Sequence, residues 1–436
     1  MNTFHPEIYA RRRAALLNKM QHGIALITAA PEAVRNGDAH YPYRQDSSFY
    51  YLTGFNEPEA ALLLIAGEVA QAILFCREKN MEREIWDGHR YGPSGAQEVF
   101  GFDAAFPIAD LDTKIVALMG DQPALYYALG ADAELDARVL RWRASVQEKS
   151  RTGIRAPDAL HDVRQLLNEM RLYKDTHELN LMRRAATISS AAHQRAMRHT
   201  RPGLYEYQIE AELLHEFCQH GARDPAYTSI VAGGANACTL HYVANDALLH
   251  DGDLLLIDAG CELGSYASDI TRTFPVNGKF SGAQRDVYEL VLAAQAQAIA
   301  AARPGAHWNT PHEAALRVLA QGFIDLKLCT GSVDAVLADG SYRQFYMHRT
   351  GHWLGMDVHD VGEYKIGADW RPLEAGMVLT VEPGCYIRPA DNVPEALWNI
   401  GIRIEDDVLI SATGNEVLSA AAPKTVADIE AVMRHG

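Results

Sequence analysis

The stretch DLLLIDAG, residues 253–260, sets Asp258 at the end of four consecutive apolar residues. Such a run belongs inside a sheet, where an isolated carboxylate is costly. The acid therefore needs a partner, a metal, or an exposed place at the strand end. The next strand-like run, DITRTF, opens on a second acid, Asp269. Taking Leu263 and Gly264 as a two-residue hairpin loop, with glycine supplying positive φ at its second position, pairs Asp258 directly with Asp269. Opposed side chains on one face stand about 4.5–5.5 Å apart at Cβ. Two like charges at that distance repel, and one pKa rises unless a cation lies between them. A shared metal is the simplest physical resolution.

Two glutamates extend the pattern. Glu382 ends the strand-like MVLTVE just before Pro383, which stops a ladder at that point. Glu405 follows Ile404 in GIRIEDD, and with Ile404 facing the core it shares a face with Arg403, so a surface ion pair is the alternative reading. Histidines concentrate nearby: His348, His352 and His359 lie within twelve residues, around the mixed segment GHWLGMDVHD, and His241 follows a strand-like run in LHYVAN. Gly351 and Gly355 are expected to let the backbone pass close to the cluster. VAGGAN, residues 231–236, lacks the glycine spacing of a phosphate cradle and reads as a turn.

With 436 residues the chain exceeds what one hydrophobic core usually serves, so two domains are expected. The first third alternates apolar runs (GIALITAA, AALLLIAG, QAILFC) with helical patterns, as an α/β domain with its own sheet would. Asp175 and Glu178 form a capping-box pair ahead of a long helical pattern, which puts the boundary at Leu172 and the domains at 1–172 and 173–436. The second part mixes helices and strands, so the fold class is α+β. The net charge of −16 disfavours nucleic acid and anionic membrane as partners. Six scattered cysteines without a CxxC pair, and no apolar run of signal or spanning length, fit a soluble cytoplasmic protein with reduced thiols.

The ordered set Asp258, Asp269, His352, Glu382 and Glu405, set in IDAG, SDITRTF, GHWLG, VEPG and GIRIEDD, resembles the dinuclear metal site of the pita-bread metallopeptidases. That family includes methionine aminopeptidase, prolidase, aminopeptidase P and the metal-free creatinase. The resemblance runs through essentially the whole chain, and YPYRQDSSFYYLTGFNEPEAALLL, residues 41–64, is similar to the extra amino-terminal domain of the bacterial aminopeptidase P branch. Prolidase carries a related domain, but DAGCELGSYASDITRTFPVNGKF favours the aminopeptidase P wording. Creatinase-like members replace the ligands, and here all five positions hold ligand-capable side chains.

The resemblance implies a C-terminal pita-bread domain behind a smaller α/β domain, and a proline-specific aminopeptidase acting on peptides with proline in second position. It implies two divalent ions, by family habit Mn²⁺, which a hard, mostly oxygen donor set suits. Asp258 and Asp269 would hold one metal, with Asp269 and Glu405 bridging and His352 and Glu382 completing the other. A shared hydroxide would attack the Xaa-Pro bond. Glu382 is the expected proton shuttle, His241 and His359 flank the carbonyl, and His348 lines the proline side. Arg403 and Tyr386 are expected to orient Asp258. Trp86, in EIWDGHRYG, either reaches a neighbouring active site in a homo-oligomer (dimer or tetramer) or packs at a domain edge. Prolidase and a metal-free binding protein on the same fold are the alternatives.

Overall fold

A computed structural model describes residues 5–434 and divides the chain into two compact units, Met1–Met170 and Arg171–Gly436. The first is built on a six-stranded sheet in the order Ala104–Pro107, Gln71–Cys76, Ala61–Ala66, Gly23–Thr28, Ala124–Tyr127, Ala159–Asp162. Gly23–Thr28, Ala61–Ala66 and Gln71–Cys76 pair antiparallel, and the flanking strands add in parallel. The central strands read as near-continuous apolar runs because the sheet is covered on both faces. Leu26, Leu63 and Phe75 pack with Val139 and Trp142 of the helix Ala133–Gln147 in one core.

The second unit opens with the helix Thr176–His199. Its first turn carries the capping box expected of Asp175 and Glu178, each side chain accepting from the other's backbone N–H. A helix pair, Thr176–His199 and Glu206–Gln219, precedes an antiparallel sheet of Ile230–Gly233, Leu254–Asp258 and Thr271–Pro275. A second pair, Gly282–Ala301 and Thr310–Asp325, precedes a sheet of Val378–Val381, Asp406–Ile410 and Asn415–Val417. A hairpin of Gly384–Ile387 and Ile400–Arg403 completes the strand framework used by the site. The sheets and helices share one hydrophobic core that includes Ile257, Phe274, Val291, Leu319 and Val381. Among the described residues, no helix is long and apolar enough to cross a membrane.

Two strand expectations need correction. The hairpin turns at Gly264 and Ser265, not Leu263 and Gly264. Leu263 pairs with Tyr266 and Asp258 with Thr271. Both turn residues have positive φ, 61° and 66°, the requirement of the tight turn that matches strand twist. The partner of Asp258 therefore moves by two positions, which preserves the face. Asp269 is diagonal to Asp258 and on the same side. GIRIEDDVLI, read as one strand, is two: Ile400–Arg403 and Asp406–Ile410 pair with different partners, and Glu405 sits at the break.

The segment GHWLGMDVHD is fixed by ion pairs behind the site. Asp360 accepts from Lys174 Nζ at 2.9 Å and Arg171 at 2.7 Å, and Arg171 also reaches Asp357 at 2.7 Å. Gly351 abuts the Thr380 carbonyl so closely that a Cβ would collide with it. Gly355, by contrast, is packed on the Asp360 carboxylate rather than on the cluster. Burial raises the Asp360 pKa, but Lys174 and Arg171 overcome it and hold the group below its ordinary 3.8. Its stabilising contribution is thus complete above that value and is lost as pH falls through the lower folded-state pKa. Asp360→Ala strips buried Lys174 of its carboxylate, leaves buried Arg171 with Asp357, and is expected to cost the C-terminal unit about 3–5 kcal/mol. Asp357→Ala, at a side chain 39% exposed, should cost no more than about 1 kcal/mol. Urea denaturation of both variants checks the difference.

Candidate metal centre

Four strand ends converge on one cleft in the C-terminal unit. Asp258 closes the strand Leu254–Asp258, and Asp269 precedes Thr271–Pro275. Glu382 follows Val378–Val381, where its backbone N–H donates to the Thr350 carbonyl. Glu405 lies between Ile400–Arg403 and Asp406–Ile410, its N–H donating to the Thr271 carbonyl. His352 runs alongside Val378–Val381, exchanging backbone bonds with Thr380: the His352 carbonyl accepts from Thr380 N–H, and His352 N–H donates to Thr380 Oγ1. Such ends are where a sheet can project acids into a cavity while its own ladder stays paired.

The side chains meet closely. Asp269, His352 and Glu405 each present a ligand atom within 4.8 Å of the others. His352 Nε2 is 3.3 Å from Asp269 Oδ2 and 3.6 Å from Glu382 Oε1. Its Nδ1 lies 2.9 Å from the Trp353 carbonyl, so Nδ1 carries the proton in the neutral ring and Nε2 keeps a lone pair aimed at the acids. The cleft, about 390 Å³, is walled by Tyr227, Ile230, His241, His348, Arg349 and His359 among others. The exposed strand-end reading of Asp258 and the surface-pair reading of Glu405 both fail: the Asp258 side chain is 13% exposed and Glu405 is 2% exposed.

A shell of donors orients these groups. Arg403 donates to Asp258 Oδ2 at 2.6 Å and to Tyr386 Oη at 3.1 Å, and Tyr386 Oη lies 2.8 Å from His348 Nε2. His359 stacks edge-on to His352 with ring centroids 4.3 Å apart. Trp86 is elsewhere, in the N-terminal unit on the short helix Met81–Asp87. There it is 83% exposed, beside exposed Ile85, so packing at an edge of its own domain does not describe it. Several contributors carried no sequence signal. The Tyr227 hydroxyl lies 2.6 Å from Asp258 Oδ1 and 2.5 Å from Asp269 Oδ1. Thr271 donates to Glu405 Oε2 at 2.6 Å, and Arg272, buried against Asp406, holds the Glu405 carbonyl.

Charge is unbalanced in this pocket: of four carboxylates, only Asp258 is paired with a guanidinium, that of Arg403. Burial pushes Glu405 well above the carboxylate range, and Asp269 and Glu382 add repulsion. Burial likewise raises Glu382 to about 7 and lifts Asp258 despite Arg403. Burial also works against ionised Asp269, yet His352 hydrogen-bonded beside it holds its pKa low. His352 rises to about 9, against the effect of its burial, because Asp269 and Glu382 surround it. Buried acids in this number are stable when divalent cations supply the missing charge. Their donor set, mostly carboxylate oxygen with one imidazole, fits hard or borderline ions with open positions.

Comparison with known proteins agrees. The model of metallopeptidase family M24 matches residues 180–412, and that of the aminopeptidase P N-terminal domain matches residues 9–126. The chain is 46% identical to an Xaa-Pro aminopeptidase of Escherichia coli over 99% of both chains. It is 47% identical to one of Haemophilus influenzae, covering 98% of this chain and 97% of that one. Among solved structures, aminopeptidase PepP of Pseudomonas aeruginosa superposes with a TM-score of 0.98 at 52% identity, over 100% of this chain and 99% of that one. Zinc-substituted E. coli aminopeptidase P in complex with product gives 0.96 at 46% identity, over 99% of each.

Proposed function

Because the chain belongs to metallopeptidase family M24, with the aminopeptidase P N-terminal domain ahead of the pita-bread domain, we propose that it is an Xaa-Pro aminopeptidase. It releases the first residue of peptides whose second residue is proline. The observation that carries this reading is the buried convergence of Asp269, His352 and Glu405, with Asp258 and Glu382 beside them. Asp258, Asp269, His352, Glu382 and Glu405 would hold two divalent cations, Mn²⁺ being one that a mostly oxygen donor set suits, with Co²⁺, Fe²⁺ or Zn²⁺ also accepted. When bound, such ions lower the pKa of a water and polarise a carbonyl.

The protein's own groups do the rest. Glu382 accepts the proton of the attacking water and delivers it to the proline nitrogen as the amide bond breaks. His241 and His359 line the cleft and donate toward the carbonyl oxygen as charge develops there. His348 is kept neutral, its pKa pushed to about 3 by burial and by Arg403, so it offers the proline ring an uncharged wall. Arg403 and Tyr386 fix Asp258 and His348 respectively. The Xaa-Pro bond has no amide N–H and a fixed φ, so the leaving side needs a shaped wall rather than an acceptor.

The N-terminal unit, on this reading, serves assembly into a homo-oligomer and access of substrate, with the exposed Trp86 and Ile85 as its contact. Six free cysteines support a reducing, cytoplasmic setting. The test is metal-dependent release of the first residue from an Xaa-Pro-Yaa peptide compared with an Xaa-Pro dipeptide. Cleavage of the longer peptide is expected. Cleavage of the dipeptide alone would identify a prolidase, and cleavage of neither after manganese loading a binding protein. His359→Ala should lower kcat about 10²- to 10³-fold while leaving metal content at the wild-type level. Loss of metal in that variant would reassign His359 as a ligand.

A further inference from the structure

One cation in the cleft wall takes no part in the chemistry above. Arg349 lies beside His348 and lines the same cavity. Its guanidinium stands 4.9 Å from the centre of the Trp370 ring and donates to Asn309 Oδ1. Lys365 approaches the same ring at 4.5 Å. The acid nearest this group in the hydrogen-bond network, Glu313, is taken by Asn309 Nδ2 at 2.5 Å. Arg403, the other guanidinium of the cleft, is paired with Asp258. Among the described residues, neither Arg349 nor Lys365 forms an ion pair with a carboxylate. The cleft thus has an acidic floor and, next to His348, a basic rim, in a chain whose net charge is −16.

We propose that Arg349 is a specificity-determining residue that receives a carboxylate carried by the residue after proline. The inference rests on the reading that the chain cleaves Xaa-Pro-Yaa peptides with His348 on the proline side. With the peptide's amino end at the acids that would hold the metals, a basic rim beyond the proline suits a negative charge at the other end. A guanidinium already laid on an aromatic face and tied to Asn309 loses little freedom when it binds. Its planar fork matches a carboxylate with two parallel hydrogen bonds. The carboxylate has two sources: the α-carboxylate of a tripeptide, or the side chain of Asp or Glu in a longer peptide.

Four substrates separate them: Ala-Pro-Ala, Ala-Pro-Ala-amide, Ala-Pro-Glu-amide and Ala-Pro-Gln-amide, each measured as kcat/KM on the metal-loaded enzyme. The wild type should prefer the acid over its neutral counterpart in at least one pair by about five- to tenfold, chiefly through KM. The pair that shows the preference identifies the source. Arg349→Gln should bring that ratio to about one and Arg349→Lys should leave part of it, as expected for a charge without the fork. Calorimetric binding of Pro-Ala against Pro-Ala-amide, and of Pro-Glu-amide against Pro-Gln-amide, reads the same ratios without turnover. Ratios near one in the wild type, or an unchanged ratio in Arg349→Gln, overturn the inference while leaving the functional reading intact. Failure of the wild type to cleave any of the four overturns both.

Discussion

Asp269→Ala is expected to lower kcat/KM on an Xaa-Pro-Yaa peptide at least about a thousandfold, equivalent to about 4 kcal/mol of activation free energy, and to reduce bound metal below two equivalents per chain. Asp269 is the acid that the others surround: His352 at 3.3 Å, the Tyr227 hydroxyl at 2.5 Å, and Glu405 within the same ligand triangle. Removing it withdraws one of the five groups that would hold the ions and leaves His352 with Glu382 as its remaining acid neighbour. The backbone at 269 is held independently, by its N–H donating to the Asp407 carboxylate at 3.2 Å. A folded, metal-poor, inactive protein is therefore the expected product. Glu405→Ala should behave alike, since its backbone is fixed by Arg272 and Thr271. Metal analysis together with steady-state kinetics checks both. Near-normal activity in either variant would end the dinuclear account.

Glu382→Gln is expected to lower kcat about 10²- to 10⁴-fold, the range of a positioned proton carrier, with a much smaller change in metal content. The amide keeps an oxygen for coordination but cannot accept the proton. Glu382 is placed to carry one: it faces the cleft 3.6 Å from His352 and 3.7 Å from His348. Glu382→Ala removes both functions and should lose metal as well as turnover. Equal losses in the two variants would mean that coordination alone explains the residue, and wild-type turnover in Glu382→Gln would exclude the proton role.

The sequence carried much of this architecture because the costly features are local. An acid after four apolar residues, a proline closing a strand at Glu382, and the Asp175–Glu178 cap are each visible in a short window. The hairpin register was not. The turn uses Ser265 in a left-handed conformation that glycine usually supplies, and so misleads a reader who counts from Gly264. A shift of two keeps the face, so Asp258 and Asp269 still share one side. Tyr227 and Thr271 gave no sign, since a hydroxyl that bridges or supports acids looks like any other. Asp357 and Asp360, without a role in the sequence, turned out to be clamps on Arg171 and Lys174. Such long-range pairs leave no periodicity to read.

On the proposed function, five residues hold two metal ions in one buried cleft. Anomalous diffraction from manganese-loaded crystals tests it most directly. Two peaks per chain are predicted, about 3.5–4 Å apart, both ringed by Asp258, Asp269, His352, Glu382 and Glu405. A single peak at full loading, or a second peak outside these five residues, would contradict it.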